Sequence, residues 1–151
     1  MVLILKTTFE DILPIWKNSL WAGRTGPIRA NSSIPYLGGS YDMSIYSYPA
    51  TFWKVVDNHK IIAVNSGFKT AEGYYRSRGI WVQEAYRNGQ VSTLLFLEVD
   101  KQAQTENCHY IWSIPRKAAL PAYLRAGFKQ TSDFFSDNME FGPNCYVLKE
   151  V

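Results

Sequence analysis

Only two of the 151 residues are cysteine, Cys108 and Cys145, and only two are histidine, His59 and His109. A disulfide-stapled secreted scaffold needs more cysteine than this, so the two thiols read as free side chains in a reducing compartment. No apolar run approaches the roughly 20 residues that a membrane-spanning helix requires. The opening stretch, MVLILKTTFED, carries four apolar residues after Met1 and no basic leader, so it does not read as a signal peptide. Charge is sparse as well: 16 Lys and Arg against 13 Asp and Glu leave a net +3, with no basic run. That balance argues against a nucleic-acid partner, yet it would not repel an anionic ligand. There is no internal repeat, no low-complexity segment and no reading of a metal site. What is present is ordinary for a folded protein, 46% hydrophobic and 19% charged, with aromatics high at 15%. The expectation is one cytoplasmic domain over residues 1–151, with a ring-rich core and no membrane or nucleic-acid partner.

Along the chain, residues 2–6 read as a short buried strand. Thr8 reads as an N-cap, and Phe9, Ile12, Leu13, Trp16 and Leu20 fall at helical spacing. Pro14 lies inside that pattern and predicts a kink or a later start. Residues 21–49 have no periodicity and hold Arg24 and Arg29; they suit a binding loop or lid as well as a surface excursion packed by its own tyrosines. Residues 51–56, 60–68 and 74–82 read as three sequential antiparallel strands, with turns at Asp57-Asn58-His59 and Ala71-Glu72-Gly73. A helical stripe from Val91 to Ala103 follows, then a strand over 109–114, ended by Pro115. A short helix over 117–126, starting near Ala118 to place Pro121 in its first turn, is closed by Gly127. Strands over 128–131 and 146–151 complete the order β-α-βββ-α-β-α-ββ. That alternation predicts an α+β (α/β) sandwich, one mixed sheet covered on both faces.

The chemistry centres on residues 78–93, RGIWVQEAYRNGQVST. A strand, a basic glycine-bearing turn and a helix N-terminus bring free backbone N–H groups and the helix dipole to one spot, which makes an anion site. An ordinary strand-to-helix connection, in which Gly89 only relieves the turn, fits the same pattern.

With the element order in hand, the chain resembles the GNAT superfamily of acyl-CoA-dependent N-acyltransferases over nearly its whole length. Val82, followed by Tyr86-Arg87, is similar to the family's fourth-strand exit into its pyrophosphate loop. Ala119 and Ala122-Tyr123-Leu124-Arg125-Ala126-Gly127-Phe128 are similar to its A-x-x-L-Y-x-x-x-G-F helix. The stretches SLWAGRTGPI, VNSGF, YRSRGIWV and WSIPR further resemble a little-studied subgroup of phage and environmental sequences.

The resemblance implies a mostly antiparallel sheet of six to seven strands and direct transfer of an acetyl or short acyl group from acyl-CoA to a primary amine. It implies that backbone groups of Ile80, Trp81 and Val82 hold the pantetheine arm. It implies that Arg87, Asn88, Gly89, Gln90, Val91, Ser92 and Thr93 cradle the pyrophosphate. Tyr123 is implied as the general acid for the departing thiolate; a core tyrosine on an amphipathic helix explains the same residue. Gln90 and Ser92 stand where the family carries glycines, and Arg116 stands where many members carry an asparagine that touches the cofactor; a cation there suits a phosphate or a carboxylate.

No carboxylate occupies the family's base position, which here is Arg76, so proton loss to water is the expectation. Glu72 and Glu84, the nearest carboxylates in sequence, read as solvated loop residues, and His59 as an exposed turn residue. Arg24, Arg29, Arg76 and Arg78 are candidate substrate residues. If two or more converge in the cleft, the acceptor is anionic; alternatively Arg76 and Arg78 merely alternate with a solvent face. The resemblance implies a small-molecule or protein amine as acceptor, and an exposed final strand would allow pairing with a second copy. The rival to an enzyme is a non-catalytic binding module on the same fold.

Overall fold

The computed structural model describes residues 1–39, 48–87, 89–137 and 139–151. Its elements are β1 (Val2–Thr7), α1 (Phe9–Ile15), β2 (Thr51–Asp57), β3 (Lys60–Ala71), β4 (Tyr74–Val82), α2 (Val91–Thr105), β5 (Tyr110–Ser113), α3 (Leu120–Arg125), β6 (Lys129–Gln130) and β7 (Val147–Glu150). The strands form one seven-stranded sheet in the order β1-β2-β3-β4-β5-β7-β6. Only β4 and β5 run parallel, and they pair at three positions, Tyr74 with Tyr110, Tyr75 with Ile111 and Arg76 with Trp112. Beyond Arg76 the two strands separate, and the gap between them becomes a cleft.

Local chemistry explains the turns. The β2–β3 hairpin closes through Asn58 and His59, both at positive φ (51° and 66°), as a two-residue turn matched to strand twist demands. Thr8 caps α1, its hydroxyl accepting from Asp11 N at 3.3 Å. The helix begins at Phe9 despite Pro14, so the proline does not delay its start. Instead the chain widens after Ile15 into a π turn, Trp16–Leu20, closed by Trp21 N donating to Trp16 O at 2.7 Å. α3 starts at Leu120 rather than Ala118, with Pro121 in its first turn as expected.

Two cores cover the two faces. On one, α2 lays Val91, Leu95, Phe96, Val99 and Ala103 against Trp53, Val55, Tyr75 and Ile111, with Tyr123 of α3 beside them. Each such large apolar side chain contributes about 1.5–3 kcal/mol on burial. On the other face, Ile12 and Trp16 pack against Phe52 and Val64. The structure corrects two expectations about the strands. β1 is an edge strand rather than a buried one, with Leu3 52% and Leu5 43% exposed, because only β2 flanks it. The final strand, β7, is not the edge of the sheet; it lies between β5 and β6, which pairs with its first two residues, Val147 and Leu148. Among the described residues, no helix is long and apolar enough to cross a membrane.

Candidate active site

The β4 backbone is shaped before any side chain acts. The β3–β4 ladder steps from Val64–Trp81 to Ser66–Arg78, so β4 carries an extra residue in a bulge around Gly79. Gly79 has φ +80°, and a Cβ there would lie 2.5 Å from the Trp16 ring. Trp16 Nε1 donates to Gly79 O at 2.8 Å, so the π turn pins the bulge. The bend directs β4 away from β5 and opens two cavities along the cleft.

The first cavity, about 370 Å³, lies at the α2 end. Ile80, Trp81, Val82, Arg87, Gly89 and Ser92 line it, together with Arg116 and Arg125. The ladder of α2 begins with Leu94 N donating to Gln90 O at 3.0 Å, and no side chain caps the helix. The N–H groups of Val91, Ser92 and Thr93 therefore have no intrahelical partner, which leaves donors and the positive dipole end for an anion. Val91 packs its side chain in the core, and Gln90 and Thr93 are exposed and do not line the cavity. Gln90 thus does not fill the space where glycine was expected, whereas the half-buried Ser92 lines it. Asn88 lies outside the described residues. Arg87 folds back so that Nε donates to Val82 O at 2.8 Å.

The second cavity, about 270 Å³, lies deeper along β4 and β5. It brings together Arg24, Arg76, Arg78 and Arg116 with Tyr123. Arg29 is not among them: its side chain is exposed, and only its carbonyl contributes, accepting from Arg78 Nη1 at 2.8 Å. Arg76 and Arg78 do not face solvent, because residues 21–39 and the excursion between β6 and β7 cover that face of the sheet; both arginines are buried. Arg78 lies over Trp16 and Trp21, at 5.2 and 5.0 Å from the ring centroids. Burial pulls Arg76 down to about 10 and Arg78 down to about 9, the latter assisted by the neighbouring charges of Arg76 and Arg24. Arg116, held down by burial, donates Nη2 to Leu20 O and ties the π turn to the cleft.

Tyr123 is positioned by the end of its own helix. Phe128 N donates to Tyr123 O and Gly127 N to Leu124 O, both at 3.1 Å, with Gly127 at φ +98°. This double closure also brings the Phe128 ring within 5.2 Å of the Tyr123 ring. The phenol is buried, 3.1 Å from Ser113 Oγ. Ser113 Oγ donates to Ser77 O at 2.6 Å, so its single proton is committed and the Tyr123 O–H points at Ser113. Burial raises the Tyr123 pKa, opposed by Ser113, Ser77 and the charge of Arg76. The two cavities share Leu20, Ile80, Arg116 and Ala119, and Tyr123 lies one helical turn beyond Ala119.

The sequence model of the Acetyltransferase (GNAT) family matches residues 21–128. The chain belongs to the GNAT acetyltransferase family. GNAT proteins transfer acyl groups from acyl-CoA, and this one is a GNAT-type N-acetyltransferase. Its fold is shared with a GNAT-family acetyltransferase from Staphylococcus aureus Mu50, 15% identical with TM-score 0.65 over 99% of both chains. It is shared too with an IAA acetyltransferase from Bacillus cereus, 14% identical with TM-score 0.66 over 100% of both chains. The PaiA N-acetyltransferase of Thermoplasma acidophilum, solved in complex with coenzyme A, is 14% identical with TM-score 0.58, over 72% of this chain and 65% of that one. None of the curated proteins matches the chain by sequence.

Two charged lining residues of this GNAT cleft were missed in the sequence. Arg125 stands one turn after Pro121, and both line the α2-side cavity; that spacing was the available signal. Glu140, in the β6–β7 excursion, is the one carboxylate among the described lining residues of either cavity. Its Oε1 accepts from Thr25 N at 2.7 Å and from Thr25 Oγ1 at 3.2 Å. No local pattern pointed to it. Glu72, Glu84, His59 and His109 are exposed and line neither cavity.

Proposed function

We propose that the protein moves an acetyl or other short acyl group from acyl-CoA directly to a primary amine in the cleft between β4 and β5. The observation that carries this reading is the meeting of the two cavities at Leu20, Ile80, Arg116 and Ala119. A ligand anchored at the α2 end and an amine in the deeper cavity reach one place there. The residues present fit acyl-CoA: unpaired N–H groups of Val91, Ser92 and Thr93 with Arg87 and Arg125 suit its phosphates. The edge of β4 at Ile80, Trp81 and Val82 has no strand beside it on the β5 side, only Arg87 Nε on Val82 O, and suits an added strand-like arm.

Acyl-CoA supplies a thioester carbon activated for attack. The acceptor ammonium loses one proton to water, and its nitrogen bonds to that carbon as the carbon–sulfur bond breaks. The nitrogen's second proton leaves as the amide forms, and the thiolate gains one to become a thiol. Tyr123 holds a proton beside this place. Its raised pKa keeps it a phenol at neutral pH; turning its O–H from Ser113 Oγ to the leaving sulfur, it gives the thiolate its proton and regains one from the nitrogen by way of water.

Thermal melting with acetyl-CoA tests the reading. A ligand at a hundredfold excess over its dissociation constant stabilises the fold by about 2.7 kcal/mol. No shift in melting at millimolar acetyl-CoA would refute it.

A further inference from the structure

Resting on that reading, we propose that the acceptor amine also carries an anionic group, a carboxylate or a phosphate, anchored by Arg76 in the deeper cavity. Arg76 differs from the other arginines that line this space. Arg24, Arg78 and Arg116 each donate to a backbone carbonyl, of Pro27, Arg29 and Leu20 respectively. Arg76 Nε and Nη1 are buried and have no hydrogen-bond partner among the described residues. Its guanidinium lies 5.1 Å from the centroid of the Trp112 ring, which fixes its plane but supplies no acceptor.

Nor, among the described residues, does a carboxylate pair with it. The ion pairs among the described residues use lysines or the N-terminus, never an arginine. Glu140, at the exposed rim, is already held by Thr25. A buried guanidinium with two nitrogens unpartnered and no ion pair is costly, and such groups are rarely left unsatisfied in a fold. Arginine at the floor, further arginines on the walls and one carboxylate at the mouth make a cavity that is cationic at depth and anionic at its rim. A molecule with an anion at one end and an ammonium at the other complements that field. The cavity, about 270 Å³, has room for a molecule the size of an amino acid.

The test uses matched acceptors: amino acids against their amides and decarboxylated amines, and phosphoethanolamine against ethanolamine, which separates carboxylate from phosphate. Transfer from acetyl-CoA and thermal melting, with and without CoA, are both read. The wild-type protein is expected to favour the anionic member of at least one pair tenfold or more in kcat/KM, and to melt higher with it. Arg76→Met is expected to melt at or above the wild type, keep its acetyl-CoA shift and bring that ratio near one. If that variant does not fold, Arg76→Lys keeps the charge without the planar fork, and its preference is expected to fall at least threefold. Equal use of charged and neutral acceptors with no anion-dependent melting, or an unchanged preference in the variant, overturns the proposal. Melting that responds to anions but not to acetyl-CoA keeps the anion site and sinks acyl transfer; the opposite pattern sinks the anion site alone.

Discussion

In the α2-side cavity Arg87 and Arg125 are exposed and stand beside unpaired backbone N–H groups, whereas in the deeper cavity Arg76 and Arg78 are buried and form no ion pair among the described residues. The same side chain thus meets two dielectric settings within one cleft. An exposed guanidinium interacts through water, so its contribution is small and falls with salt. A desolvated one interacts strongly and is costly when alone. Affinity at the first cavity is therefore spread over many weak donors, while selectivity at the second concentrates in a few groups.

The contrast can be broken at its root by Gly79→Ala. The new Cβ would sit 2.5 Å from the Trp16 ring at a φ of +80°. Left-handed strain of about 1–2 kcal/mol and overpacking of about 1–3 kcal/mol together predict a loss of about 2–5 kcal/mol. Melting by circular dichroism should fall by roughly 5–15 °C. A melting point within a degree of the wild type would remove Gly79 from the frame of both cavities.

Tyr123→Phe acts where the cavities meet. Loss of a general acid predicts a fall in kcat of about a hundredfold with acetyl-CoA binding kept. An acid works only while protonated, and the raised pKa of Tyr123 places its loss of activity above the ordinary phenol value of about 10. The wild-type pH–rate profile should carry that alkaline limb, and the phenylalanine variant should lack it. A limb that survives the substitution belongs to another group.

Arg87→Ala and Arg125→Ala sharpen the comparison further. Each should raise KM for acetyl-CoA several-fold, about 1 kcal/mol for an exposed charge. The effect should fade as screening shortens from about 10 Å at 0.1 M salt to about 3 Å at 1 M. Acceptor selectivity, resting on buried arginines, should change far less over the same range of salt. Equal salt dependence in the two would erase the distinction.

The smallest effect is a control outside the cleft. Lys54 holds the Asp11 carboxyl below its ordinary range by a 2.6 Å hydrogen bond, with Thr7 assisting. Because the folded pKa is the lower one, this stabilisation is present above the unfolded pKa and is lost as pH falls through the folded one. Asp11→Asn should cost at most about 1 kcal/mol at neutral pH, flatten that acid limb in a pH-dependent melt and leave acetyl-CoA binding unchanged. Altered binding would show that the pair reaches the cleft.

Much of this was legible because it is local. β-rich runs split by polar turns located β2, β3 and β4, the apolar stripe located α2, and Gly127-Phe128 announced the closure that holds Tyr123. What escaped depends on chain segments far apart in sequence. Arg76 and Arg78 alternate along β4 as a solvated face would; only the packing of residues 21–39 and of the β6–β7 excursion over them makes that face an interior. Glu140 enters the cleft through a contact with Thr25, 115 positions away. The apolar run at the start looked buried, yet an edge strand has a neighbour on one side only. The bulge at Gly79 is set by register between β3 and β4, which one strand's residues do not encode.

Among the described residues, the three parallel rungs between β4 and β5 are the only ladder that joins β1–β4 to β5, β7 and β6. The sheet is thus two arms stitched by a seam three residues long, with α2 crossing from one arm to the other. The amides of this seam form the thinnest cooperative unit through which the arms can part without unravelling either. A molecule that spans both cavities touches the two arms at once and acts as a further stitch. Hydrogen exchange at the seam then becomes a readout of occupancy, sensitive to a ligand that never touches those amides.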